Sequence, residues 1–198
     1  MLQRRPVLAI LTLVLSVTFA ISPFLTSDFA GYRPEQFPVQ TEFWPVQPAA
    51  WAICVCGLFY LWLIFGSLWG LVKAPRDRGW QNMRLPLVFS LGIGTFWVAA
   101  ANASPILATV MIVAMAALAI TAMFRASVET PAWQVRPVAL YAGWLTAATG
   151  VGAGVVLGGY GMMSAQAAAL VMLTLVSVVA LLVQARRPKE WAYPLAVI

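Results

Sequence analysis

Long uncharged apolar runs alternate with short polar breaks along the whole chain. Six runs contain no Asp, Glu, Lys, Arg or His, and they cover residues 6–26, 49–72, 85–101, 105–124, 138–158 and 166–184. A helix needs about 20 mostly apolar residues to cross the hydrocarbon core of a bilayer, whereas barrel strands are about 10 residues long with alternating polarity. The pattern therefore predicts an all-α integral membrane protein, a single domain built as a bundle of about six transmembrane helices.

Composition and charge support a membrane class and give it an orientation. Apolar residues make up 62% of the chain and charged residues only 9%, against about 25% charged residues in soluble domains. Because Lys and Arg concentrate in cytoplasmic loops, both ends of the sequence are predicted to be cytoplasmic in a multi-pass protein of the cell's inner (plasma) membrane. The formal charge of +6 then reflects topology, and no nucleic-acid partner is predicted. Eleven of the twelve basic residues share one set of ends and loops, and only Arg33 lies on the other: Arg4, Arg5, Lys73, Arg76, Arg78, Arg84, Arg125, Arg136, Arg186, Arg187 and Lys189.

Three segments leave alternatives open. Residues 27–48 form the one long loop on the predicted outer face, with three acidic residues and four prolines, and they are either a lid over the bundle or a solvated connector. The first apolar run follows Arg4 and Arg5 as in a signal peptide, but it lacks a clear cleavage site, which favours an uncleaved helix. Residues 189–198 are either an interfacial tail or the start of a further helix.

Catalytic chemistry is mostly absent from the sequence. The chain contains no His, which excludes a histidine-based haem, metal site or general base. Cys54 and Cys56 are two residues apart on a predicted helix, so they cannot chelate one metal together or form a disulfide with each other. No carboxylate lies within a span, and ion-coupled pumping lacks its usual groups. The sequence predicts a protein that is not an enzyme and that holds no metal and no covalent cofactor.

Aromatic residues are the most informative side chains that remain. Trp51, Trp62 and Trp69 are separated by 11 and 7 residues and share one face of the second helix, whereas Tyr60 points to the opposite side. An interfacial belt accounts for Trp51 and Trp69, near the two ends of the helix. Trp62 and Tyr60 are predicted close to the midplane, where the N–H or O–H needs a partner. They are predicted to face other helices or a bound ligand.

Glycines are spaced to allow close packing in the fifth span. Gly150, Gly154 and Gly158 repeat every four residues, a seam through which two helix backbones approach closely. The partner is either another helix of the chain or a second subunit, as in a homodimer. Trp97 similarly lies near glycines of the third span. Together these spans can surround a flat apolar pocket, with rings as walls and glycines making room.

Two segments and one tryptophan carry a resemblance to a known family. The segment from Pro48 to Leu63, with Trp51, Gly57 and Tyr60, resembles the second helix of the tryptophan-rich sensory protein family (TspO/MBR, the peripheral benzodiazepine receptor relatives). The stretch Tyr141-Ala-Gly-Trp-Leu-Thr-Ala-Ala-Thr149 is similar to the family's late Tyr-x-x-Trp-x-x-x-Ala-Thr helix, and Trp97 resembles its third-helix Trp. The chain departs from the family at three positions: Cys56 stands in place of Trp, and Gly94 and Gly152 stand in place of Asn. The chain is identified as a divergent member.

The resemblance implies a small helical bundle that binds a tetrapyrrole, such as a porphyrin, or another flat apolar ligand, lipid included, in sensing, transport or handling. Without His, a porphyrin would be held by stacking and shape, with its propionates reaching Arg or Lys at a membrane face. A different hypothesis is a non-catalytic structural or assembly subunit packed against a larger membrane complex, which the loss of the two asparagines favours. The predicted ligand-binding residues are Trp51, Tyr60, Trp62, Trp97, Tyr141 and Trp144.

Overall fold

The computed structural model describes residues 7–26, 31–41, 44–46, 50–75, 77–127 and 130–197, with no account of the side chains of residues 50–56. Over these residues the protein is helical, and no strand occurs among them. A short 3-10 turn at Pro34–Gln36 interrupts the loop after the first helix. The seven α-helices are α1 (Val7–Leu25), α2 (Ala50–Val72), α3 (Arg78–Ala103), α4 (Pro105–Phe124), α5 (Ala132–Gly159), α6 (Ala165–Arg186) and α7 (Ala192–Val197).

Helices α1 to α5 form a closed ring in the order α1, α3, α4, α5, α2, and each helix packs against its neighbours in that ring. Helix α6 lies outside the ring against α5, and α7 lies against α5 with an edge on α6. Within the described residues, α1, α3, α4, α5 and α6 are long and apolar enough to cross a membrane, and α2 adds an apolar stretch at Gly57–Val72. The prediction of a multi-pass helical membrane bundle is confirmed.

Helices α3 and α5 begin earlier than the uncharged runs predict. The Asp77 side chain caps α3 by accepting a hydrogen bond of 2.7 Å from the backbone N–H of Trp80. Arg84 lies buried in the second turn and donates to the carbonyl oxygens of Gly70 and Pro75 at 2.8 and 3.0 Å. Because these polar residues belong to the first turns of α3, the uncharged run covers only the rest of the helix and starts too late.

The face of α2 that carries Trp69 mostly faces lipid. Leu58, Phe65 and Trp69 expose 59%, 63% and 48% of their surface, whereas Phe59 and Leu63 on the other side of the helix are buried. Trp62 lies between the two faces and is half-buried. In a membrane both faces of a helix are apolar, so the sequence carries no polarity difference that marks the inward face.

The described part of the loop before α2 packs on the bundle. The backbone N–H of Val39 donates to the carbonyl of Gly159 at 3.0 Å, and the Gln36 amide donates to the carbonyls of Ala101 and Asn102 at 3.2 Å each. These bonds tie the loop to the ends of α5 and α3. Of the two alternatives for this loop, its described residues form a cap rather than a solvated connector.

The last described helix packs against the bundle. Tyr193 of α7 is fully buried, and its hydroxyl lies 3.1 Å from that of Thr146 on α5. The backbone of Tyr193 passes so close to Gly143 that no side chain fits there. Arg187 precedes this helix and donates to two carbonyl oxygens at the end of α4, those of Phe124 and Ala126. These contacts hold the segment after α6 against α4 and α5.

Candidate ligand site

Five aromatic rings from α1, α2 and α5 meet inside the ring of helices. The Phe59 ring centroid lies 4.6 Å from that of Tyr60, 5.8 Å from that of Tyr141 and 5.9 Å from that of Trp144. Phe19 meets Tyr60 and Tyr141 edge to face at 5.1 and 5.6 Å. Edge-to-face and tilted pairs at these distances are favourable because the edge of one ring meets the electron-rich face of the next. We refer to these five residues as the interior cluster.

A buried hydrogen-bond chain fixes Tyr141 at the centre of the interior cluster. Its hydroxyl lies 3.1 Å from the hydroxyl of Ser90 on α3, and Ser90 also donates to the carbonyl oxygen of Met115 on α4 at 2.9 Å. All these groups are buried in the interior of the bundle. A hydroxyl without a hydrogen-bond partner is unfavourable in such an environment. The chain links three helices and holds the Tyr141 ring in one orientation.

Phe19 reaches the interior cluster through space that Gly94 leaves open. A methyl carbon built on Gly94 would lie 2.6 Å from the Phe19 ring and 2.8 Å from the Met115 methyl group. Real side chains do not approach so closely, so α3 must carry glycine here if Phe19 is to pack as it does. The position at which the family resemblance expects Asn is therefore filled by an aromatic ring from another helix.

The residues predicted to bind a ligand fall into three groups. Tyr60, Tyr141 and Trp144 come together in the interior cluster. Trp97 lies between α3 and α4, where its indole N–H donates to the carbonyl oxygen of Ala108 at 3.0 Å. Trp62 stands at the rim, against the core but half-buried. The Trp51 side chain lies outside the described residues.

Sequence reasoning missed Phe19 and Phe59. Phe59 adjoins Tyr60 in the sequence, but the tryptophan stripe of α2 drew attention to another face of the helix. Phe19 lies in α1, which offers no Trp or Tyr. Gly94 was the available signal, because a glycine in the middle of a transmembrane helix marks a close approach by a neighbouring group.

Comparison of the chain with known protein families gives one match. The family model described as TSPO-like protein matches residues 7–198, nearly the whole chain. The chain belongs to the TSPO-like protein family. Comparison with curated proteins and with solved structures returned no match. The matched region includes α6 and α7, so these helices are part of the TSPO-like region together with the five-helix ring.

The glycine seam of this TSPO-like chain meets other parts of the same chain. A methyl carbon on Gly150 would lie 2.5 Å from Val176 of α6, which is a contact between helices. On Gly154 the nearest atom would belong to Val46 of the loop at 3.1 Å. On Gly158 the nearest would be the Trp44 ring at 2.9 Å. The seam therefore packs against α6 at Gly150 and against the loop at Gly154 and Gly158.

A second group of rings covers the ends of α5 and α6. Phe37 meets Tyr32, Trp44 and Tyr160 edge to face at 5.8, 5.6 and 5.8 Å. Burial raises the pKa of the Tyr32 hydroxyl above its usual 10, and a hydrogen bond to Thr109 offsets part of that effect. We refer to Tyr32, Phe37, Trp44 and Tyr160 as the loop-end cluster.

An apolar groove of about 580 Å³ opens on the outside of α1, α3 and α4. Leu15, Phe89, Gly92, Phe96 and Met111 are among its lining residues, and none of the residues predicted to bind a ligand lies in it. Phe89 and Phe96 expose 57% and 69% of their surface. In a bilayer the groove faces lipid chains.

Basic side chains at the end of the bundle opposite the loop are engaged in several ways. Arg84 and Arg187 bind backbone carbonyl oxygens. Lys73 and Arg136 lie over the rings of Trp69 and Trp191, at 5.9 and 5.0 Å from the centroids. Among the described residues no group of three or more His, Cys, Asp or Glu side chains comes together to hold a metal.

Proposed function

We propose that this TSPO-like membrane protein binds a flat apolar ligand, such as a tetrapyrrole, at the interior cluster, for sensing, transport or handling of that ligand. The observation that carries the proposal is the meeting of five rings from three helices inside the bundle. Apolar ligand sites are typically lined by aromatic side chains with few polar groups. The proposed role of the protein is to bind this ligand, not to catalyse a reaction.

The seam between α2 and α5 offers the ligand a face of the interior cluster. Tyr60 and Trp144 are half-buried, whereas Phe59 and Tyr141 lie fully within the core. A planar molecule can stack on the half-buried rings from this side. The burial of Tyr141 and Phe59 keeps the floor of the site in place, so little ordering is needed on binding.

Arg136 is the basic residue best placed for an acidic arm of such a ligand. It lies five residues before Tyr141 on α5, about 8 Å along the helix axis. Its guanidinium stacks on Trp191 and is half-buried. A guanidinium fork pairs well with a carboxylate, so Arg136 would take a propionate at the edge of the membrane.

The test is a titration of the purified full chain in lipid nanodiscs with protoporphyrin IX, followed by quenching of tryptophan fluorescence. Trp144→Leu removes a ring of the interior cluster and is expected to weaken binding about tenfold. Trp69→Leu is the matched control, since Trp69 packs edge to face on Trp133 at 5.0 Å, away from the interior cluster. Saturable quenching that is weakened by the first variant alone supports the proposal. Absence of quenching, or equal weakening by both variants, contradicts it.

A second candidate function, a structural or assembly subunit of a larger membrane complex, is favoured by α6. This helix packs on α5 and touches α7 at its end, while Leu173, Leu181 and Leu182 expose 65%, 71% and 61% of their surface. Such a face can pack on another membrane protein. Recovery of the chain in a large complex after mild solubilisation, without porphyrin binding, supports this function over the first.

A further inference from the structure

We infer that Phe19, together with Gly94, determines which ring-shaped ligand the interior cluster admits. This inference rests on the proposed function and narrows it to one pair of residues. The Phe19 ring lies where a flat ligand would otherwise contact Tyr60 and Tyr141, at 5.1 and 5.6 Å from their centroids. It is therefore a specificity-determining residue, and it acts by occupying space.

Gly94 and Phe19 fit each other as a pair. With any side chain at position 94, Phe19 could not keep its place, because even a methyl carbon would lie 2.6 and 2.8 Å from two of its ring atoms, closer than van der Waals contact allows. The Met115 methyl group closes the other side of the same space, 2.8 Å from that carbon. The volume beside Gly94 is thus assigned to the Phe19 ring, and a ligand must compete for it.

Phe19 is the ring of the interior cluster that can leave most readily. Tyr141 is held by its hydrogen bond to Ser90, and Phe59 is wedged among Tyr60, Tyr141 and Trp144. The Phe19 side chain has no polar atom to anchor it. Beside it lies the end of the Met115 side chain, which is flexible and can move aside.

The backbone of α1 is also weakened at this position. Residue 23 is proline, which has no N–H to donate to the Phe19 carbonyl four residues earlier. The Ser22 hydroxyl donates to that carbonyl instead, at 2.9 Å. A helix that lacks a regular bond at one turn bends there more easily, so movement of Phe19 does not require the rest of α1 to shift.

These contacts define the class of ligand that fits. A single ring or a fused pair of rings, such as indole, can take the place of Phe19 without displacing Tyr141 or Phe59. Indole and larger flat molecules alike must move Phe19 out of the cluster, and the fraction of protein in that arrangement reduces their apparent affinity. Removing the ring should therefore strengthen binding, whereas removing the other rings should weaken it.

The experiment compares the full chain in nanodiscs with Phe19→Ala and Phe19→Leu, using indole as a neutral probe in calorimetric titrations. Engineered apolar cavities of ring size bind small aromatic molecules, so Phe19→Ala is expected to bind indole at least about tenfold more tightly than the natural sequence. Phe19→Leu, which leaves a smaller space and disturbs folding less, is expected to fall between them. Phe24→Ala, on the same helix at a residue that is 87% exposed, is the matched control.

Two further measurements separate this inference from the proposed function. Gly94→Ala should lower the melting temperature of the natural chain but not that of Phe19→Ala, because the clash with the ring disappears and the flexible end of Met115 can move into the space it leaves. Protoporphyrin IX is titrated into the same variants. Tighter indole binding by Phe19→Ala without porphyrin binding in any variant supports the role of Phe19 and overturns the tetrapyrrole proposal. If neither Phe19 variant binds indole more tightly than the natural sequence, the inference is wrong, whatever porphyrin does.

Discussion

The interior cluster and the loop-end cluster are packed in the same way, but by different parts of the chain. In each, an aromatic ring packs on a helix backbone at a glycine: Phe19 on Gly94 in the interior, and Phe37 and Trp44 on Gly159 and Gly158 at the loop end. Glycine allows a ring to lie directly against the helix, which enlarges the contact between flat surfaces. The rings of the interior cluster belong to helices, whereas Phe37 and Trp44 of the loop-end cluster belong to a loop.

That difference follows from the solvent at each depth. Within the hydrocarbon core, backbone groups must be satisfied internally, so helices carry the interior rings. At the end of the bundle a loop is allowed, because its remaining polar groups reach water or helix ends. A loop held by a few hydrogen bonds opens at lower free energy than a helix held by packing along its length. We therefore expect damage to the interior cluster to affect the whole bundle, and damage to the loop-end cluster to stay local.

The largest effect is expected from Gly94→Leu. The added side chain must enter the space that holds Phe19 and the Met115 methyl group, and overpacking of this kind costs about 3 kcal/mol. The loss should appear as a lower melting temperature of the whole protein in detergent. Gly57→Leu is the matched control, because a carbon built on Gly57 has no neighbour within 4 Å. Equal melting temperatures for the two variants would remove the argument for the Phe19–Gly94 pair.

The next effect in size is expected from Gly159→Leu. A side chain here collides with the Phe37 ring, so the loop should detach while the ring of helices survives. Cleavage after Glu35 by a glutamate-specific protease should become faster, because Glu35 lies in the short turn of this loop, and the melting temperature should fall by less than in Gly94→Leu. A fall as large as that caused by Gly94→Leu, with Glu35 still protected, would show that the two clusters do not differ as proposed.

The sequence was sufficient for the architecture because lipid imposes a simple length rule. Uncharged runs of about 20 residues located α1, α4 and α6 closely. The starts of α3 and α5 were placed too late, since polar residues such as Arg84 can lie in a helix when they bind the carbonyl oxygens of a neighbouring turn. A rule that ends a helix at the first charged residue cannot predict such hydrogen bonds.

The interior cluster was only partly predictable, for a physical reason. The family resemblance pointed to Tyr141 and Trp144, and a midplane hydroxyl in need of a partner pointed to Tyr60; all three lie in the interior cluster. Which face of an apolar helix turns inward is decided by shape, and shape complementarity such as that of Phe19 with Gly94 leaves no periodic trace in one sequence. The glycine seam likewise predicted a close approach but could not show that a loop takes part of it.

Tyr141→Phe tests the anchoring of the interior cluster without changing its volume. The substitution removes the bond to Ser90, whose hydroxyl still donates to the Met115 carbonyl, so no buried donor is left unpaired. A hydrogen bond between membrane helices contributes about 0.6–1 kcal/mol, and the melting temperature should fall slightly. Tyr193→Phe removes a similar bond, to Thr146, outside the interior cluster. Both variants should lose similar stability, but only Tyr141→Phe should change indole affinity.

The smallest effect is expected from Gln36→Ala, which probes how the loop is held. The amide of Gln36 donates to two carbonyl oxygens at the end of α3, and its oxygen accepts from the Arg33 N–H at 2.9 Å. Because each such bond contributes about 0.5–1 kcal/mol, the melting temperature should hardly move, while amide hydrogen exchange in residues 31–41 should become about fivefold faster. Gln81→Ala is the matched control, since its amide binds the Pro75 carbonyl at 2.8 Å at the opposite end of the bundle. If exchange in residues 31–41 were unchanged by Gln36→Ala, Phe37 and Trp44 packed on glycine would hold the loop alone, and the loop-end cluster would depend on packing as fully as the interior cluster does.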